Sequence, residues 1–245
     1  MKQLKFIILF LSINVLAMAQ YPSEKNILDK IDDNMSAKTR VMTVKMEIDG
    51  ARGTRTMESK IWTEGDKRSF TEYLSPAREK GTKMLKLENQ LWIYSPTTDR
   101  VMQISGHMLR QSVMGSDMSY EDMMNDTPLL ERYRADVTGE ETIDDRKCWV
   151  VTLTAIKEDV NYYSQKLWVD EERYVPLRMD LFAKSGKLLK RTTLSDIQKV
   201  QGRWFPKTMV YKDMLKEGNG TRMTFMSIQF NVSISESTFN KANLK

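Results

Sequence analysis

From Met42 to Ile228, apolar residues recur at every second position in short runs separated by turn signals. No other feature restricts the fold as much. In the first run Met42, Val44, Met46 and Ile48 alternate with Thr43, Lys45 and Glu47, and Asp49-Gly50 closes it with a pair suited to a hairpin turn. Such alternation gives a pleated strand one apolar face and one polar face. Further strands are predicted near 56–63, 69–74, 82–87, 91–94 and 100–104, then near 133–138, 148–155, 163–169, 177–183, 188–194, 207–214 and 221–228. Between them lie turn residues such as Glu64-Gly65-Asp66, Ser75-Pro76, Glu88-Asn89, Asp170-Glu171 and Ser185-Gly186. The pattern predicts roughly eleven to thirteen strands in an antiparallel meander, and a sheet of that size must curl, close or be covered to hide its apolar face.

Helical spacing is confined to two places. Between residues 23 and 35, Ile27, Leu28, Ile31 and Met35 form a stripe and Ser23 is placed to cap the first turn, which predicts an amphipathic helix lying on the sheet. A second, short helix is predicted over 119–125, with Ser119 as its cap and Glu121 and Asp122 in the first turn. Sitting in the middle of the strand series, it is positioned to cover the concave face of a curved sheet. No linker, low-complexity tract or long repeat divides the chain after residue 20, so one domain is expected over 20–245.

The first residues, Met1-Lys2-Gln3-Leu4-Lys5, precede an apolar run to Leu16 and then Ala17-Met18-Ala19. This order reads as an export signal cleaved between Ala19 and Gln20. The run is shorter than the roughly 20 apolar residues a membrane-spanning helix requires. Export places the mature protein outside the cytoplasm, in the periplasm. The formal charge of +5 drops by the two lysines of the signal. The remaining basic residues are interleaved with acidic ones and form no stripe suited to nucleic acid. The single cysteine, Cys148, opens a predicted strand and reads as a buried, inert thiol.

Catalytic signatures are missing from the sequence. One histidine, His107, lies in the polar stretch Ser105-Gly106-His107-Met108, and there is no G-x-S-x-G elbow to supply a nucleophile. One His and one Cys make a zinc site unlike any common ligand set. Asp117, Glu121, Asp122 and Asp126 cluster, but without the EF-hand order, and they suit the N-terminal end of a helix better than a calcium loop. Neither phosphate-cradling glycine motif is present. No catalytic, cofactor or metal residue is therefore assigned. Methionine stands out instead: eighteen in all, with Met42, Met46, Met57, Met84, Met102, Met179, Met209, Met223 and Met226 on predicted strands. A flexible, polarisable side chain of this kind fills a core or lines a cavity that accepts chains of varied shape.

The segment Trp92-Ile93-Tyr94-Ser95-Pro96, followed by Arg100, Ile104 and Arg110-Gln111-Ser112, leads into Met114-Gly115-Ser116-Asp117-Met118-Ser119-Tyr120-Glu121-Asp122. It resembles the W-x-Y-x-P…R…GSD-x-SY-x-D signature of outer-membrane lipoprotein-sorting proteins. Leu167-Trp168-Val169-Asp170, Pro176 and the Trp204-Phe205-Pro206 segment before a strand extend the resemblance along the chain. Members of this family are similar to the carriers LolA and LolB. The resemblance implies a mainly β fold, an incomplete and strongly curved antiparallel barrel with an N-terminal helix and a mid-chain helical lid. It also implies binding of a lipid or of lipoprotein acyl chains for transport toward the outer membrane, with an inner-membrane exporter or outer-membrane acceptor as partner. On this reading the ligand-facing residues are Met42, Val44, Met46, Leu85, Trp92, Tyr94, Met102, Leu167, Met179 and Phe225. Trp92, Tyr94 and Arg100 are expected at the mouth of the cavity or against the lid. Gly115, Asp117 and Tyr120 are expected to shape the turn into the lid helix. An envelope sensing or adaptor module of the same fold, acting through protein contacts, is the alternative. An envelope enzyme is a third.

Overall fold

The computed structural model describes residues 21–50, 53–124 and 129–245. The expected cleavage site between Ala19 and Gln20 lies outside the described residues. The chain forms one curved, unclosed antiparallel sheet of thirteen strands among the described residues. Strands β1 (Thr39–Gly50), β2 (Gly53–Glu64), β3 (Arg68–Ser75), β4 (Lys83–Leu87), β5 (Gln90–Ser95) and β6 (Arg100–Ile104) form one meander. Strands β7 (Tyr133–Ile143), β8 (Arg146–Ala155), β9 (Ser164–Asp170), β10 (Pro176–Phe182), β11 (Leu188–Val200), β12 (Arg203–Asp213) and β13 (Thr221–Phe230) form the other. The two meanders join where β1 pairs with β13, which leaves β6 and β7 as the two edges of the sheet.

This topology dictates the course of the segment between them. Strands β6 and β7 are consecutive in sequence but twelve strand spacings apart, roughly 60 Å if the sheet were flat. The chain between them must cross the sheet, and its described residues, 105–124 and 129–132, lie over the concave face. Bulges interrupt the register at Thr43/Val44, Glu58/Ser59, Val137/Gly139 and Leu181/Phe182. Each adds local twist, which helps the sheet curl.

Helix α1 (Glu24–Met35) has Ser23 as its cap, the Ser23 hydroxyl accepting from the Asn26 amide at 3.3 Å. Its stripe, Ile27, Leu28 and Ile31, is buried against Tyr133, Trp149, Val151, Leu153, Leu167 and Val169 on the concave face of β7–β9. The crossover consists of 3₁₀ turns at Gly106–Arg110 and Val113–Gly115, the single-turn helix α2 (Tyr120–Met123) and the short helix α3 (Leu129–Arg132). The expected helix over 119–125 is thus shorter, and its last residue, Asn125, lies outside the described residues. The Ser119 cap is present as a complete capping box with Asp122.

Strands β7, β11 and β12 and the C-terminal residues depart from the sequence reading. Strands β7 and β11 run several residues past the predicted 133–138 and 188–194, because Gly139 and Asp196 are absorbed at positive-φ positions without ending the ladder. Trp204-Phe205-Pro206 lies inside β12 and not ahead of it, with Pro206 opposite Ile197. The residues after β13 fold into 3₁₀ turns, Glu236–Phe239 and Lys241–Leu244, that lie on the convex face and bury Phe239 and Leu244 against Phe70, Leu85 and Trp92.

Candidate functional site

Besides the core where β12 and β13 meet β1, the concave face has three parts. Strands β1–β5 are covered by the crossover: Met46, Ile48, Met57, Tyr73, Met84, Leu91 and Ile93 meet Val113 and Tyr120, with Met108, Met114, Met118, Met123 and Met124 packed against them. Strands β7–β9 are covered by α1. Between the two covers lies a cavity of about 260 Å³ over β9–β12. Its apolar wall is Met118, Leu129, Met179, Leu181 and Tyr211, and its polar wall includes Asp122, Tyr162, Gln165, Lys190 and Thr192. The hollow lined by Glu47, Asp49, Thr54, Asn219 and Arg222, about 230 Å³, lies on the convex face and is ringed by polar and charged groups.

Two sets of polar contacts hold the crossover to the sheet. In the first, the Asp117 carboxylate accepts from the Asp213 amide at 2.9 Å and from the Thr221 hydroxyl at 2.8 Å, while the Asp117 amide donates back to Thr221 Oγ1 at 3.0 Å. Asp117 and Thr221 are both buried. The approach to this latch is a tight turn in which Met114 and Gly115 both have positive φ. A Cβ on Gly115 would lie 2.8 Å from the Arg55 guanidinium, which itself donates to the Met114 carbonyl at 2.8 Å. Glycine is favoured there by its positive φ, and a side chain would also push the flexible end of Arg55 aside.

In the second set, Asp122 Oδ2 accepts from Lys190 Nζ at 2.6 Å and Asp122 Oδ1 accepts from the Tyr162 hydroxyl at 2.6 Å. Lys190 Nζ also donates to the Asp117 carbonyl at 3.1 Å. Burial pushes the Asp122 carboxyl up, but hydrogen bonds from Lys190 and Tyr162, together with the lysine's charge, outweigh it and hold the pKa below the ordinary carboxylate value. The same balance lowers Asp170, where burial is opposed by Arg146, and Asp180, where burial is opposed by Arg191 and Arg178. A carboxyl depressed in the folded state contributes stability that is fully present above its unfolded pKa, about 3.9 for Asp. That stability is lost as pH falls through the lower folded values. Urea midpoints measured from pH 6 downward should therefore hold steady to about pH 4.5 and fall steeply below it. A flat profile to pH 2 would contradict these ion pairs.

The structure separates the residues that sequence reasoning grouped together. Met179 lines the cavity. Met42, Val44 and Phe225 lie on the same concave face but inside a filled core with Leu194, Phe205, Met209, Ile228 and Phe230. Met46 lies under the crossover and Leu167 under α1. Met102 is opposite Ile93 on edge strand β6 and is exposed. Leu85 and Trp92 are on the convex face, buried with Phe239 and Leu244, and Lys241 Nζ sits 3.7 Å from the Trp92 ring centroid. Tyr94 flanks that cluster and donates to Asp99 at 3.2 Å. Neither Trp92 nor Tyr94 is at the cavity mouth or on the crossover, because the β4–β5 register pairs Trp92 with Leu85 and turns both away from Met84 and Ile93. Arg100 is an exposed residue at the start of β6. Gly115, Asp117 and Tyr120 shape and anchor the crossover, Tyr120 through burial beside Tyr73 and Met84.

Tyr162, Lys190, Leu181 and Tyr211 also line the cavity. Leu181 and Tyr211 carried the same alternation signal as every other strand residue. Nothing local marks Tyr162 or Lys190, which reach Asp122 only through pairing of distant hairpins. His107 is exposed on a 3₁₀ turn. Cys148 is fully buried, and burial pushes its thiol up to about 11.

A family model described as that of an uncharacterized protein matches residues 65–245. No curated protein sequence matches the chain. Among solved structures, a DUF1329 family protein from Desulfovibrio piger superposes with a TM-score of 0.80 at 24% identity, covering 90% of this chain and 97% of that one. A domain named for outer membrane lipoprotein sorting, from Vibrio parahaemolyticus, gives 0.76 at 23% identity, covering 89% and 97%. A LolA superfamily protein from Nitrosomonas europaea gives 0.70 at 21% identity, covering 91% and 99%. The chain belongs to the family whose model spans residues 65–245, and its fold is the one shared by these lipoprotein-sorting and LolA superfamily proteins.

Proposed function

We propose that this protein is a non-enzymatic periplasmic carrier that holds a lipid or the acyl chains of a lipoprotein on the concave face of its sheet. The observation that carries the reading is the cavity of about 260 Å³ walled by Met118, Leu129, Met179, Leu181 and Tyr211, bounded on one side by a methionine-rich crossover. Its volume falls just below the roughly 300–1,000 Å³ typical of ligand pockets. The methionines beside it can change rotamer to admit more of a chain. Each methylene moved from water into such a cavity gains about 0.8 kcal/mol. A carrier of this kind hands its cargo between membrane partners, an inner-membrane exporter on one side and an outer-membrane acceptor on the other. The fold shared with a lipoprotein-sorting domain and a LolA superfamily protein supports the reading.

Native mass spectrometry of the protein purified from envelope fractions tests it, together with displacement of a fluorescent acyl probe. Co-purifying lipid and saturable probe binding are expected. Leu181→Trp, which fills the cavity from β10, should weaken probe binding by about tenfold or more, since a bulky ring removes the space the chain occupies. Protein free of lipid, with no probe binding before or after delipidation, would sink the carrier reading.

A further inference from the structure

We propose that the cavity over β9–β12 takes an amphiphile with an acyl chain and an anionic head, and that Asp122 occupies the head-group position when the cavity holds no ligand. The proposal rests on the carrier reading above and adds head-group chemistry to it.

Two donors from separate parts of the sheet converge on one carboxylate. Lys190 Nζ, on β11, reaches Asp122 Oδ2, and the hydroxyl of Tyr162, in the loop before β9, reaches Asp122 Oδ1, each at 2.6 Å. Together they form a two-point receptor for an anion the size of a carboxylate. Of the three ammonium N–H donors on Lys190, one is directed to Asp122 and one to the Asp117 carbonyl, which leaves one for a ligand group. Burial and the neighbouring Asp122 charge push the Tyr162 hydroxyl well above its ordinary pKa, so it stays protonated and remains a donor.

The same cavity carries the apolar wall of Met118, Leu129, Met179 and Leu181. A chain lying on those side chains brings its polar end to Lys190 and Tyr162. The sign of the head follows from what it replaces. The Lys190 side chain is only 19% exposed. A neutral head that displaced Asp122 would leave this ammonium without a counter-charge in a largely desolvated place, which is costly. An anionic head exchanges one acceptor for another and keeps the charge balanced. Fatty-acid carboxylates and phosphate monoesters share this chemistry.

The test is displacement of a fluorescent acyl probe from the delipidated protein by palmitate, by 1-palmitoyl lysophosphatidate and by hexadecanol. At least one of the two anions should bind about tenfold more tightly than hexadecanol, as expected for a charge-assisted hydrogen-bonded head. Whichever anion shows the preference identifies the head as carboxylate or phosphate. Asp122→Asn removes the internal competitor's charge and should tighten anion binding by about tenfold relative to hexadecanol. Lys190→Gln should abolish the preference, and Tyr162→Phe should reduce it. A far-UV circular dichroism spectrum and a cooperative thermal transition like those of the parent protein report an intact fold in all three variants. Equal binding of all three compounds, insensitive to these substitutions, would overturn the head-group assignment and leave the carrier reading standing. Absence of binding by any of the three would overturn both.

Discussion

Phe205→Ala should lower the unfolding free energy by about 3–5 kcal/mol, one of the two largest single-residue effects expected in this chain. Phe205 is 2% exposed on β12, with its ring meeting Phe225 at 5.1 Å and Phe230 at 5.6 Å between centroids, both edge-on. These three rings fill the concave face where β12 and β13 meet β1, alongside Met42, Val44 and Met209. Truncation removes both the transfer free energy of the ring and the edge-to-face contacts, and the surrounding strands cannot close the gap without breaking their ladder. For a domain of this size the melting temperature should fall by roughly 6–20 °C. Urea denaturation with an unchanged m-value would confirm a pure stability effect. A loss under about 1 kcal/mol would show that the seam repacks, and that the rings are less tightly fitted than their separations indicate.

The second large effect concerns the crossover. Asp117→Ala leaves the Asp213 amide and the Thr221 hydroxyl without their shared acceptor in a buried setting, and hydrogen bonds to a charged group contribute about 1.5–3 kcal/mol each. A destabilisation of about 3 kcal/mol is expected. Hydrogen exchange should localise the effect: amides of Ser116 to Met124 and of Asp213 should lose protection, while those of β7–β9 under α1 keep theirs. Asp117→Asn keeps one carbonyl acceptor and should cost roughly half as much. If exchange rises uniformly over the whole sheet, Asp117 is an ordinary core residue and not an anchor for the crossover.

The anchor has a functional consequence under the carrier reading. The crossover forms one wall of the cavity through Asp117, Met118, Asp122 and Leu129, so its attachment to β11–β13 sets how much concave surface is open. Asp117 is satisfied entirely within the protein. Asp122 shares Lys190 and Tyr162 with the cavity and is also held by the Ser119 amide and hydroxyl. The two aspartates, five residues apart, therefore divide the work: one holds the segment in place and the other stands where a ligand head would bind.

Much of this was legible in the residues themselves. The alternation of Met42, Val44, Met46 and Ile48 determined both that β1 is a strand and which of its faces is buried, because side-chain direction along a strand is a local property. Likewise the 3.6-residue spacing of Ile27, Leu28 and Ile31 set the buried stripe of α1, and Ser119 announced the cap of α2, whose reciprocal bond from Asp122 the structure adds. The family motif from Trp92 to Asp122 indicated the fold. It indicated the site only in part, since its aromatic half lies on the convex face while its second half brings Asp117, Met118 and Asp122 to the cavity.

What only the tertiary structure decided is which apolar residues are core and which line open space, and which polar residues meet. Period-two alternation makes Val44, Phe225 and Met179 indistinguishable, yet the first two are sealed among Leu194, Phe205, Met209 and Phe230 while the third lines the cavity. Alternation likewise cannot say which apolar face of β4 and β5 is concave, so Leu85 and Trp92 fell on the far side of the sheet. The meeting of Asp122, Lys190 and Tyr162 depends on strand register across hairpins that are far apart in sequence. Local periodicity dictates the face of each strand. Long-range pairing dictates who stands opposite whom, and that information is distributed over the whole sheet.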